Sequence, residues 1–72
     1  MNASKPAGQY YEAIGDTLEQ AVERAHAQIP PRRERDFAVS RIIEWGMQRG
    51  GITGAQVFYV KLIEDETAPF KT

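Results

Sequence analysis

Cysteine is missing from this 72-residue chain, and histidine occurs once, at His26. Without thiols there is no disulfide staple, and thiols and histidines together are too few for a structural zinc site. No apolar run approaches the roughly 20 residues that a membrane-crossing helix needs, so a membrane partner is not expected. Neither charge sign is in excess: nine Lys and Arg against ten Asp and Glu give a formal net charge of -1, spread along the chain. A nucleic-acid partner is not expected either, because binding phosphates takes a basic face. Segment 1–8 lacks the apolar core of a signal peptide, which makes a cytoplasmic location the expectation.

These absences matter because the chain is short. A domain of this size buries only about 60% of the surface its unfolded form exposes, and small domains lean on disulfides, metals or oligomerisation. With the first two removed, self-assembly is the expected source of stability.

The residues present divide into tails at 1–8 and 65–72 around a domain at 9–64. Residues 9–15 alternate aromatic and branched side chains, with Tyr10 and Ile14 on one side and Tyr11 and Ala13 on the other, which predicts a strand. Gly15 breaks it, and either Asp16 with Glu19 or Thr17 with Gln20 supplies a capping box. Leu18, Ala21, Val22, Ala25 and Ile29 then repeat with helical period, while Glu19, Gln20, Glu23, Arg24 and Gln28 take the other face. Pro30 and Pro31 stop that helix. Alternation predicts a second strand over 37–47 and a third over 55–63, joined as a hairpin by a glycine-rich turn.

The expected fold is therefore α+β, a two-layer βαββ unit with a three-stranded antiparallel sheet packed on one helix. A single helix covers one sheet face. If Phe58, Val60 and Leu62 meet the helix, then Val57, Tyr59 and Ile63 point away, joined by large residues of the second strand, and such an apolar patch marks an interface or a ligand surface.

No set of residues announces an enzyme. A catalytic triad lacks its parts, so no catalytic or metal-binding residue is assigned. His26 shares a helical face with Glu19 and Glu23, for which a solvated edge is the ordinary reading and a metal or proton-transfer role the sharper one. Glu12 and Glu44 would approach each other or Arg41 if the first two strands were neighbours, but solvated or ion-paired surface charge is the preferred reading. Arg32, Arg33 and Arg35 cluster next to Phe37, but Glu34 and Asp36 dilute them, so a solubilising loop is preferred to an anion site. Gln56, Phe37 and Trp45 are the ligand-binding candidates: flat aromatic surface gives stacking, and a side-chain amide gives orientation to a planar small molecule. The same aromatics suit a subunit interface equally well.

The element order, the Gly15-Asp16-Thr17 break before an alanine-spaced helix, and the segment Gly54-Ala55-Gln56-Val57-Phe58-Tyr59-Val60-Lys61-Leu62 resemble the dodecins. The resemblance spans roughly 9–64. It implies a βαββ subunit, assembly into a hollow dodecamer, and non-catalytic storage of a flavin (FMN, FAD or riboflavin) stacked at two-fold interfaces. Gln56 falls where the family's flavin-orienting glutamine lies. The family's stacking tryptophan, early in the second strand, aligns with Ala38 or Phe37, whereas Trp45 comes later. The reading that follows is a homo-oligomeric ligand-binding or storage protein. The alternative is an assembly or interaction module with no small ligand.

Overall fold

The computed structural model of the chain describes residues 9–71. It contains strand β1 (Tyr11–Gly15), helix α1 (Leu18–His26), strand β2 (Ser40–Gly50) and strand β3 (Ala55–Glu64). The three strands form one antiparallel sheet in the order β1-β3-β2, so the expected α+β architecture of three strands on one helix is the observed one.

Local chemistry accounts for the helix. Of the two capping boxes that the sequence offers, Thr17 with Gln20 is used: the Thr17 hydroxyl accepts from the Gln20 amide at 3.0 Å, and Gln20 Oε1 accepts from the Asp16 amide at 2.7 Å. Pro30 disfavours helical dihedrals at Ile29. The regular helix accordingly stops at His26, and the chain leaves through two tighter bonds, Gln28 N–H to Ala25 O and Ile29 N–H to His26 O.

The core is a single layer. Ala21 and Ala25 of α1 and Val60 and Leu62 of β3 are fully buried, with Tyr11, Ala13, Leu18, Val22, Ile29 and Phe58 packed around them. The two alanines let the helix backbone sit close to the sheet. Removing side chains the size of Val60 and Leu62 from water stabilises the fold by about 1.5–3 kcal/mol each.

Strand β2 covers different residues from those expected. Phe37, Ala38 and Val39 precede it rather than begin it, and pairing continues past Met47 to Gly50 opposite Ala55. The hairpin turns at Gly51 and Gly54, whose φ of 77° and 70° are cheap only without a Cβ. A bulge between Ile42 and Glu44 shifts the register against Leu62 and Lys61.

The helix packs on β1 and β3. Nine residues of helix are about 14 Å long, whereas an 11-residue strand runs roughly 36 Å. The far part of the hairpin therefore projects beyond the helix. The molecule is a slab 47 × 36 × 16 Å. Its radius of gyration, 14.2 Å, exceeds the about 11 Å of a compact chain of this length.

Candidate functional site

Directly opposed residues in an antiparallel pair share a face, so the register places every side chain. Ile42, Trp45, Met47 and Arg49 of β2 lie opposite Leu62, Val60, Phe58 and Gln56 of β3, on the helix side of the sheet. Arg41, Glu44, Gly46 and Gln48 lie opposite Ile63, Lys61, Tyr59 and Val57, on the open side. Trp45 thus belongs to the helix side, yet it is 59% exposed, because it stands on the strand that the helix does not cover. Nine of the 11 residues of β2 are exposed, Ile42, Ile43 and Met47 among them.

The three ligand-binding candidates separate into two places. Trp45 and Gln56 share the helix side of the hairpin, where Met47, Arg49 and Gln56 line a shallow hollow. Phe37 sits near the other end of the sheet, in the connection before β2. Its ring meets Phe70 edge to face with centroids 5.3 Å apart, and the Arg35 guanidinium lies over it at 4.2 Å.

Glu12 and Glu44 are not on neighbouring strands, because β3 runs between β1 and β2. Lys61 of β3 stands between them instead, its Nζ 3.6 Å from a carboxylate oxygen of each and 4.4 Å from the Tyr10 ring centroid. Partial burial works against the lysine's charge, but Tyr10, Glu44 and Glu12 together outweigh it and hold the ammonium above its ordinary pKa. Tyr59 lies across Gly46 on the same open side: a Cβ at Gly46 would come within 2.6 Å of the tyrosine hydroxyl. Charge and aromatic surface are therefore interleaved on this face, where the sequence reading saw chiefly an apolar patch.

No family model, curated protein or solved structure matches this chain.

The arginine-rich connection does structural work that its composition hides. Arg32 grips Glu64 in a two-pronged ion pair, at 2.6 and 3.1 Å to Oε1, and reaches Glu66 at 2.9 Å. The Glu64 side chain is only 5% exposed, and its hydrogen bonds raise the Arg32 guanidinium pKa further. Arg35 donates to the carbonyls of Glu66 and Ala68. The segment read as a tail at 65–72 is thus tied down over its described residues 65–71. Asp65 starts it: its amide donates to Val39 O at 2.7 Å, and its carboxylate accepts from the Thr67 hydroxyl and amide. Those two bonds, the hydroxyl first, hold the Asp65 carboxyl below its usual range. The N-terminal tail at 1–8 lies outside the described residues.

His26 meets a partner that the sequence did not offer. Its Nδ1 is 2.8 Å from Ser40 Oγ, a bond that ties the last turn of α1 to the first residue of β2. Glu19 and Glu23 are exposed on the helix, and the described residues contain no group of three or more His, Asp or Glu side chains that would hold a metal ion. No helix of the described residues is long and apolar enough to cross a membrane. Ser40, Lys61, Glu64 and Phe70 were missed as structural partners: Lys61 acts across strands whose order is unreadable from spacing, and the other three meet residues of the helix or of the connection 14 to 33 positions away.

Proposed function

We propose that this chain is a non-catalytic cytoplasmic protein that works as a homo-oligomer, dodecin-like in its subunit, and that holds a planar small molecule between copies. One observation carries the proposal. Trp45 and Met47 stand half exposed on a strand without helical cover, in a slab too flat and extended for a self-sufficient domain of this size. Apolar side chains arranged in this way lose contact with water when copies meet. Trp45 supplies a stacking surface, and Gln56, on the same side of the hairpin, supplies a donor and an acceptor for a ring edge. A flavin (FMN, FAD or riboflavin) has both the flat ring and the polar edge.

Native mass spectrometry of the protein as purified tests both halves together, since it reads subunit number and bound mass. The expected result is a discrete oligomer, twelve copies in the dodecin-like case, that quenches the fluorescence of added riboflavin or FMN. Trp45→Glu should lose both the assembly and the quenching. A wild-type protein that stays monomeric at micromolar concentration would sink the proposal.

A second reading is assembly without any small ligand. It is favoured by the position of Phe37, whose ring is already taken by Phe70 and Arg35 of its own chain. An intact oligomer with no bound mass and no flavin quenching selects this reading.

A further inference from the structure

We propose that two copies join edge to edge through β2, antiparallel over Glu44–Gln48, with the two-fold axis at Gly46. The inference rests on the self-assembly reading above and names the surface that it uses. Because the sheet order is β1-β3-β2, one side of β2 pairs with β3 and the other side is an edge, 11 residues long. An edge of that length is a template for another strand unless something blunts it, commonly proline, lysine or a bulge. The bulge here falls between Ile42 and Glu44 and disturbs only the start of the strand. Past it, seven residues pair regularly with β3 and contain neither proline nor lysine. The other edge, β1, is only five residues long.

The strand is self-complementary about Gly46. On the helix side, Trp45 of each copy comes opposite Met47 of the other, so two exposed apolar side chains cover each other twice, in the sulfur–aromatic contact that such pairs favour. On the open side, Glu44 comes opposite Gln48, and no like charges face each other. Moving the axis to Met47 sets Trp45 against Arg49 and leaves each methionine against its twin. The glycine at the axis also has a use. With no side chain at Gly46, the Tyr59 ring leans across β2 and brings its hydroxyl toward the edge. In the paired sheet the two Tyr59 hydroxyls approach each other at the axis, one donating and the other accepting. The product is a continuous six-stranded sheet with both β2 strands at its centre.

The absence of native cysteine makes the test clean. Glu44→Cys and Gln48→Cys are prepared singly, their folding is verified by circular dichroism, and they are oxidised alone and after refolding as a mixture. Opposed residues in this register stand within disulfide reach, whereas Glu44 and its own copy lie four residues out of step, beyond it. The expected result is a cross-linked dimer as the major product of the mixture, and little from either variant alone. No cross-link in the mixture, or equal cross-linking of one variant by itself, overturns the pairing. If native mass spectrometry still shows an oligomer in that case, self-assembly stands and only the edge fails; a monomer throughout overturns both.

Discussion

The two strands of the hairpin have opposite fates. Strand β3 lies at the centre of the sheet with Val60 and Leu62 sealed under the helix, while β2 beside it has nearly every residue open to water. Their compositions are not very different: each mixes branched and aromatic residues with glutamate and a basic residue, arginine in β2 and lysine in β3. Burial in this fold is thus decided by reach. A short helix covers β1 and half of β3, and apolar residues beyond its reach stay exposed. One half of the molecule carries the core, and the other carries the exposed apolar side chains on which the proposed assembly rests.

Substitution should expose that division. Leu62→Ala opens a cavity under the helix and is expected to cost about 2–5 kcal/mol in urea unfolding. Trp45→Ala, measured at a dilution where copies are apart, should cost less than about 1 kcal/mol, as for exposed positions. Equal losses from the two would erase the distinction. Gly46→Ala comes next. The new methyl meets the Tyr59 ring, which must swing away at a cost of about 1–3 kcal/mol. Repeating it in a Tyr59→Ala background should relieve most of that cost, and additive losses would show that the ring is not the obstacle.

Two smaller effects concern the far end of the sheet. Arg32→Ala leaves the nearly buried Glu64 carboxylate without its guanidinium and unties 65–71, so amide exchange there should quicken while exchange in α1 stays slow. The smallest is a pH effect. Asp65 is held below the ordinary carboxylate pKa chiefly by the Thr67 hydroxyl, so its contribution is present above that ordinary value and is lost as pH falls through the depressed one. Thr67→Val should make the acid-side decline in melting temperature shallower. An unchanged profile would remove Asp65 from the account.

Much of this fold was legible beforehand. The helix announced itself through its stripe, a capping box and the proline stop, and β3 through a run of residues suited to strands. The start of β2 was misjudged by three residues, because Phe37 and Val39 alternate like strand residues although Phe37 is engaged by Phe70, 33 positions away. Its end was misjudged because glycine reads as turn, whereas Gly50 still pairs with Ala55. Strand order was out of reach: a hairpin shows that β2 and β3 are neighbours but not on which side β1 adds. Hence the preferred reading of Glu12 and Glu44 as solvated or ion-paired surface charge could not name their partner, which is Lys61 on the strand between them. The polar composition of 65–71 gave no sign that Arg32 and Arg35 would bind it. Of the ligand candidates, alternation could place Gln56 and Trp45 on strands, but not Phe37 at the opposite end.

The order of the strands also governs how the chain must fold. β1 pairs with β3 from Tyr11 opposite Leu62 to Gly15 opposite Phe58, so the strand made first on the ribosome has no neighbour until the strand made last is complete. The β2–β3 hairpin closes over a four-residue turn and needs no such wait, which makes it the natural nucleus. Every fully buried hydrophobic residue among those described, however, lies in α1 or β3. A hairpin formed first would therefore lack the core, whereas α1 has β1 to pack on before it meets β3.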